Sequence, residues 1–207
     1  SYDLVVSNIP FGNFSVYDET YPDKTISGKI HNYFFAKGLD KLADGGIMAY
    51  ITTEGFLNSP SNQSVREYLF QKADFVSVAV MPDNLMMETG NTDAPNHLLI
   101  VQKNEHKQTL SDNENELLQT VELENEFGKY SINKYLHNRP ELIIGNEIQA
   151  GKNQYGQAHQ SVRQNGDINS IGNYLGENIT KGLKENFNPE RFEKAQKTEI
   201  VQPAEAI

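Results

Sequence analysis

The sequence has 207 residues, enough for one moderate domain with a packed core, or for one domain plus an appendage. Its 28 acidic and 18 basic residues give a formal net charge of −10. This charge argues against tight autonomous binding of nucleic acid, which relies on Lys and Arg neutralising phosphates. The chain has no cysteine, which excludes disulfides and thiolate nucleophiles and fits a reducing, cytoplasmic location. No stretch approaches the roughly 18 apolar residues that span a bilayer, so we expect no membrane contact.

The first hundred residues alternate between strand and helix patterns. Leu4, Val5 and Val6 form a short apolar run that ends at Ser7 and Asn8, as in a buried parallel strand that leads into a loop. A helix is predicted over residues 30–42 and is stopped by two glycines at 45 and 46. The other predicted elements are strands over residues 47–52, 75–81 and 97–101, and a helix that begins at Ser59-Pro60. This order predicts an α/β fold with a partial doubly wound sheet.

The composition changes after residue 104. Residues 105–126 are rich in Glu, Asn, Gln and Asp, and we interpret them as an acidic, solvated connection with room for a short helix or strand. Residues 127–207 form a C-terminal extension of unknown role, predicted to be irregular apart from a modest helix over residues 173–186. The sequence therefore predicts three parts, 1–104, 105–126 and 127–207.

The segment most informative about chemistry lies at the end of the first strand, where doubly wound folds bind ligands. An exocyclic aromatic amine is a poor nucleophile because its lone pair is delocalised into the ring. Two acceptors that hold its hydrogens would favour the geometry needed for attack on a methyl group. Asn8 offers a side-chain carbonyl, and Ile9 offers a backbone carbonyl made rigid by Pro10. Phe11 offers a flat face on which a base can stack. Taken alone, these residues would also suit an ordinary turn.

In this context the segment Ser7-Asn8-Ile9-Pro10-Phe11-Gly12 resembles the Asn-Pro-Pro-Tyr/Phe motif of amino-group methyltransferases, preceded by the strand Tyr2-Asp3-Leu4-Val5-Val6. The resemblance covers about residues 1–104 and continues through FFAKGLDKLADGGIMAYITTEGFLNSP, REYLFQKADFVSVAVMP and TGNTDAPNHLLIVQK. These stretches are similar to adenine-N6 DNA methyltransferases. They resemble type I restriction-modification methylase subunits and, especially, methylase domains fused to helicase-like proteins of bacterial mobile elements. The resemblance implies a Rossmann-like fold, S-adenosylmethionine (SAM) as cofactor, and a flipped adenine in DNA as substrate.

The sequence departs from the family pattern in two ways. Ile9 stands where the commonest motif has its first proline, although its carbonyl can still accept a hydrogen bond. The chain also lacks the family's Gly-rich SAM-binding turn and the acidic residue that binds the cofactor ribose, so the cofactor-binding residues are unknown. We therefore expect a fragment, the C-terminal part of the catalytic domain, that is inactive in isolation. The family's sheet order would leave the first strand with an open edge, which invites pairing with another chain.

Four further residues are candidates for lining the substrate pocket, namely Gly12, His31, Thr53 and Glu54. Gly12 lets the loop turn without a side chain in the way. His31 also suits a simple polar cap near the start of a helix, and Thr53 and Glu54 suit an ordinary turn. The five histidines show no metal-ligand spacing, so no metal is expected.

We expect the intact protein to be a site-specific DNA adenine-N6 methyltransferase of a restriction-modification system or a mobile element. Two alternatives stay open. One is methylation of a glutamine amide in protein, which uses the same type of loop and suits the acidic charge. The other is a non-catalytic module in which the methylase half serves as a scaffold for interactions.

Overall fold

The computed structural model of the chain describes residues 1–12, 14–87 and 93–198. These residues form eight strands and eight α-helices, joined by loops and short 3-10 turns. The strands are β1 (Tyr2–Asn8), β2 (Leu42–Thr53), β3 (Ala73–Met81), β4 (Asn96–Lys103), β5 (Thr120–Asn125), β6 (Gly128–Asn133), β7 (Glu147–Lys152) and β8 (Ala158–Arg163). The helices are α1 (Lys24–Ser27), α2 (Ile30–Lys41), α3 (Gly55–Asn58), α4 (Gln63–Lys72), α5 (Asp112–Leu118), α6 (Lys134–His137), α7 (Ile171–Asn186) and α8 (Pro189–Thr198).

The main sheet has four strands in the order β1-β2-β4-β3. β1 is parallel to β2, whereas β4 is antiparallel to both of its neighbours. If β4 were parallel to β3, a long crossover connection would have to join the two strands. β4 is antiparallel and runs back beside β3, so no such crossover is needed. The prediction of a partial doubly wound, Rossmann-like α/β sheet is confirmed, with the addition of this antiparallel strand.

The two faces of the sheet pack against different parts of the chain. Side chains alternate along a strand, so neighbouring residues point to opposite faces. On β3, Val78 lies in the main core with α2 and α4, whereas Ala79 lies in a second cluster with Ile171 of α7. On β4, Leu99 belongs to the main core and Leu98 packs against the second cluster. The sheet is therefore covered by helices on both sides.

β2 begins earlier than the sequence predicts. Helix α2 ends at Lys41 and the strand starts at Leu42, so Gly45 and Gly46 lie inside the strand and do not form the stop of the helix. Gly45 has a φ of 84°, which a residue without Cβ adopts easily. The amide of the buried Gln102 donates a hydrogen bond of 2.9 Å to the Gly45 carbonyl and so holds this irregular segment in the sheet.

The C-terminal extension contains more regular structure than the sequence predicts. It contains the β7–β8 hairpin and the strand β6, which pairs with β5 of the acidic connection. Helix α7 lies against β3, where Asn178 accepts a hydrogen bond of 3.0 Å from Ser77. The next helix, α8, follows Asn188, whose carbonyl accepts a hydrogen bond of 2.9 Å from Gln102. Side-chain hydrogen bonds supplement the few apolar contacts of these segments, such as those of Ile171 in the second cluster. Composition alone does not reveal such bonds, which explains why it predicted an irregular chain.

Part of the acidic connection is buried, contrary to its interpretation as a solvated segment. Glu114 of α5 is 2% exposed and accepts a hydrogen bond of 2.8 Å from the backbone amide of Phe75 in β3. Lys107 lies 2.6 Å from the same carboxylate. Ser111 and Glu114 also form a capping box at the start of α5. These bonds compensate the charge of Glu114 and attach the connection to the main sheet.

Two glycines of α7 allow a matched test of how closely this helix approaches the sheet. A Cβ at Gly182 would lie 2.6 Å from the Cβ of Ser77, whereas a Cβ at Gly176 would meet nothing within 4 Å. We expect Gly182→Ala to lower the free energy of unfolding by about 1–3 kcal/mol through overpacking. We expect Gly176→Ala to leave it unchanged or to raise it by up to about 1 kcal/mol. Urea denaturation of both variants checks this, and equal stabilities would contradict the close packing.

Candidate active site

The ends of all four main strands meet at one edge of the sheet. β1 and β2 end there at Asn8 and Thr53, and β3 ends there at Met81. Because β4 is antiparallel, its first residues, Asn96 and His97, lie at the same edge. Backbone hydrogen bonds join the segments beyond the strands: Glu54 donates to Pro95, and Ala94 donates to Asp83. This is the edge at which doubly wound folds bind ligands.

The backbone of Ile9 fixes the loop that follows β1. Its N–H donates a hydrogen bond of 2.9 Å to the carbonyl of Ile51 in β2. Its side chain is 1% exposed and lies in the main core. Asn8, on the other side of the pleat, is exposed, and no hydrogen bond joins its side chain to any described residue. The carboxamide of Asn8 is therefore free to bind a ligand.

The remaining residues of the loop lie at the surface. Pro10 is exposed and Phe11 is half-buried, so part of the Phe11 ring remains accessible. A side chain at Gly12 would collide with the ring of Phe14, which is 52% exposed. Asn8 and Pro10 are thus exposed on either side of the buried Ile9, which fixes the backbone, and Phe11 follows half-buried.

A cavity of about 910 Å³ lies beside this loop, between the sheet edge and the β6 and β7–β8 segments. All four residues predicted to line the substrate pocket border it: Gly12, His31, Thr53 and Glu54. The four motif residues from Asn8 to Phe11 do not line it, and Gly12 is the point at which the loop reaches the cavity. The cavity therefore adjoins the motif without enclosing it.

Three ionisable side chains form a bridge across the cavity. Nδ1 of His159, in β8, lies 3.0 Å from Oε2 of Glu54, and its Nε2 lies 3.1 Å from Oδ2 of Asp83. Asp83 also accepts a hydrogen bond of 2.8 Å from Ser161, and Glu54 accepts one of 3.3 Å from Asn58. Burial acts to lower the pKa of His159, but the bonds to Asp83 and Glu54 outweigh it and raise this pKa to about 9. The ring is therefore protonated at neutral pH.

Two other histidines of the cavity are buried and neutral. Burial lowers the pKa of His31 to about 4, with a further contribution from the charge of Lys29. Burial likewise lowers the pKa of His97 to about 4, although Glu54 acts in the opposite direction. Neither ring nitrogen of His31 has a hydrogen-bond partner, and Nδ1 of His97 also lacks one. Each neutral ring has one donor nitrogen and one acceptor nitrogen, and those without a partner are themselves buried.

Sequence reasoning did not identify Asp83, His97 or His159 as residues of this site. His159 and Asp83 are 76 residues apart, and no local spacing joins them. The only available signal was the position of His97 at the start of a predicted strand, at the edge where the motif also lies. Nowhere in residues 1–12, 14–87 and 93–198 do three or more His, Cys, Asp or Glu side chains come together in a way that could hold a metal ion.

The described residues do not fit the adenosine part of SAM. The exposed carboxamide of Asn8 suits the nitrogen that would accept a methyl group. Within the described ranges, however, no strand leads through a glycine-rich turn into a helix, the feature that usually holds such a nucleotide.

Also within these ranges, no helix combines the length and the apolar composition needed to cross a membrane.

A fixed Asn-Ile-Pro-Phe loop at the end of an edge strand, on a mixed α/β sheet, is the arrangement expected from the resemblance to amino-group methyltransferases. Comparison with known families agrees. The family model described as Eco57I restriction-modification methylase matches residues 1–87, which confirms the resemblance indicated by the sequence motifs. The match includes β1, the loop, β2 and β3, and it ends before β4.

The chain spans between 4% and 51% of the length of the individual proteins that it resembles. "Defense against restriction protein B" of Escherichia phage P1 is 33% identical over 97 residues, which are 45% of this chain and 4% of that protein. Among solved structures, the type I restriction enzyme EcoKI M protein is 11% identical over 98% of this chain and 51% of its own, with a TM-score of 0.44. A chain of a type I restriction-modification complex is 20% identical over 49% of this chain and 21% of its own, with a TM-score of 0.40. These two TM-scores are too low to support an inference.

The buried neutral state of His97 predicts a pH dependence of stability. The unfolded ring binds a proton near pH 6.5, whereas the folded ring binds one only near pH 4. Stability is therefore lost as the pH falls from about 6.5 to about 4, with a slope of about 1.4 kcal/mol per pH unit for one such histidine. We expect His97→Gln to reduce the slope of unfolding free energy between about pH 6 and about pH 5 by that amount.

Urea denaturation of the chain across this pH range measures the slope. The matched control is His106→Gln, because His106 is exposed and lies outside the cavity. The control should keep the slope of the unchanged chain. The same slope in His97→Gln and in the unchanged chain would show that His97 is not held neutral.

Proposed function

We propose that this chain supplies the acceptor side of a SAM-dependent DNA adenine-N6 methyltransferase. The observation that supports the proposal is the loop at the end of β1. It combines the free, exposed carboxamide of Asn8 with a backbone fixed by the hydrogen bond from Ile9 to Ile51. The half-buried ring of Phe11 follows two residues later. The match of residues 1–87 to a restriction-modification methylase family points to the same chemistry.

In this proposal the loop holds an adenine that has been flipped out of the duplex. The side-chain oxygen of Asn8 and the carbonyl of Ile9 accept hydrogen bonds from the exocyclic amine. Two such bonds favour pyramidal nitrogen and direct its lone pair away from the ring. The base stacks on Phe11, an interaction worth about 1–3 kcal/mol per base in nucleic-acid binders. Pro10 limits the conformations of the preceding residue, so the acceptor carbonyl is oriented before the base arrives.

SAM would supply the methyl group and would leave as S-adenosylhomocysteine. The described residues do not include the glycine-rich turn that usually holds its adenosine part. The loop contributes orientation and electrostatics, which commonly account for most of the rate enhancement in group transfer. The amine proton is released after transfer to solvent or to the region of Asn8. No metal is needed for these steps.

The charge of the chain places limits on how DNA is bound. With a net charge of −10, the chain alone offers little attraction to phosphates. We propose that basic surfaces elsewhere in the intact protein, or on a partner subunit, bind the DNA backbone and present the base to the loop. The intact protein would belong to a restriction-modification system or a mobile element of a bacterial cell and act in the cytoplasm, which the lack of cysteine suits.

The exposed edge of β1 supports the proposal that this strand pairs with another chain or segment. No described strand pairs with that edge. Tyr2, Leu4 and Val6 on the strand are 56–67% exposed. An apolar strand with one free edge is a ready template for further pairing.

Replacement of the loop side chains tests the proposed function in the intact protein. We expect Asn8→Ala to lower kcat for DNA methylation by about 100- to 1000-fold, because one of two acceptors of the amine is lost. We expect Phe11→Ala to lower kcat/KM by about 5- to 150-fold through loss of stacking. Transfer of labelled methyl groups to plasmid DNA measures both effects.

The matched control is Asn173→Ala, which should keep full activity. Asn173 is an exposed asparagine of α7, and this helix lies against β3, at the other edge of the sheet from β1. Circular dichroism should show the same fold in all variants. Transfer to protein glutamine in place of DNA would favour the amide methyltransferase alternative. Full DNA methylation by both Asn8→Ala and Phe11→Ala would overturn the mechanism.

A further inference from the structure

The β7–β8 hairpin borders the cavity although it belongs to the C-terminal extension. Asn153, Gln157, His159 and Gln160 of the hairpin line the cavity opposite the ends of the main strands. The side chains of Asn153, Gln157 and Gln160 are amides, which both donate and accept hydrogen bonds. The position of the hairpin therefore determines the width of the cavity and which polar groups a ligand meets.

The hairpin is attached to the segments beyond the main strands at three levels. At the end of β8, Arg163 lies 2.8 Å from Asp93, in the segment before β4. Near the base of β8, Asn84 donates a hydrogen bond of 2.9 Å to the carbonyl of Gln164 and accepts one of 3.0 Å from its N–H. Farther along β8, the attachment to the segments beyond β2 and β3 is ionic: His159 contacts Glu54 and Asp83, and Ser161 donates to Asp83. The carbonyl of His159 also accepts a hydrogen bond of 3.1 Å from Asn125 at the end of β5.

We propose that His159 is a positioning residue that holds the β7–β8 hairpin against the substrate cavity by bridging Glu54 and Asp83. That the substrate is DNA rests on the function proposed above. The bridge itself follows from the contacts of one ring with two carboxylates that come from different strand ends. His159 touches no group of the motif loop, so its role is exerted through the hairpin.

The charges around His159 explain why the bridge depends on protonation. Glu54 and Asp83 face the ring from two sides, the neutral ring of His97 lies near Glu54, and Arg163 of the same strand lies near Asp83. A protonated imidazole donates to both carboxylates at once, whereas a neutral ring donates to only one. The contribution of the bridge is complete below about pH 6.5, the unfolded value, and is lost as the pH rises through about 9.

The test uses His159→Gln in the intact protein, because glutamine keeps an amide donor but cannot be charged. The matched control is His106→Gln, an exposed histidine outside the cavity. Backbone deuterium exchange read by mass spectrometry should be about tenfold faster in the β7–β8 hairpin of His159→Gln and unchanged in the main sheet. Deuterium exchange at the imidazole carbon of the unchanged protein should give a pKa near 9 for His159.

Kinetics separate positioning from catalysis. For DNA methylation, His159→Gln should raise KM about tenfold or more and change kcat by less than about threefold, because the hairpin shapes the cavity without touching the reacting atoms. KM of the unchanged protein should rise as the pH passes about 9, and this rise should be absent in the variant. His106→Gln should match the unchanged protein in each measurement.

Each outcome decides the proposal. A pKa near 6.5 for His159 in the unchanged protein overturns it, and this measurement needs no variant, so it stands even where His159→Gln does not fold. Unchanged hairpin exchange, or unchanged KM in a protein that methylates DNA, also overturns it. If the unchanged protein methylates neither DNA nor protein, the proposed function fails, and the exchange and titration results still decide whether His159 holds the hairpin.

Discussion

The site depends on how Ile9 is held at the end of β1. Its N–H donates to the carbonyl of Ile51 and its side chain lies in the main core, so both the backbone and the side chain of Ile9 are held. Because neighbouring residues of a strand point to opposite faces, a buried Ile9 forces Asn8 outward. A proline at position 9 could not donate this hydrogen bond. The isoleucine that departs from the commonest family motif therefore replaces the rigidity of a proline ring by attachment to the sheet and core.

The antiparallel β4 has a consequence for the cavity. A parallel strand in this position would bring its carboxyl end to the ligand-binding edge, whereas β4 brings its first residues, Asn96 and His97. The turn before β4 then bonds to both neighbouring segments, through Glu54 to Pro95 and through Ala94 to Asp83. These backbone bonds fix the spacing of Glu54 and Asp83, so that one imidazole can reach both carboxylates. The position of the bridge is thus determined by the strand order.

Local patterns predicted elements of the first hundred residues and four residues that border the cavity, whereas the role of the motif residues stays a prediction. The limits of α2, the end of β1 and the positions of Gly12, His31, Thr53 and Glu54 around one cavity follow from short stretches of sequence. His159 could not be predicted because its partners are set by the packing of the β7–β8 hairpin, which no periodicity in a polar, Gln-rich segment indicates. Helix α8 was missed for a related reason: the segment is attached through polar bonds such as Gln102 to Asn188, and a search for apolar stripes does not detect them.

The charged groups around the cavity are mostly paired within the chain. Glu54 and Asp83 contact the protonated ring of His159. Lys29 and Lys129 also line the cavity, where Lys29 donates to Asn62 and Lys129 contacts Glu122. A ligand that enters the cavity meets the amides of the hairpin, whereas the unpartnered nitrogens of His31 and His97 are buried. Because the two carboxylates that line the cavity are both paired with His159, the net charge of −10 does not gather there. The acidic chain is therefore compatible with the proposal that the loop binds an uncharged base while basic surfaces elsewhere bind the phosphates.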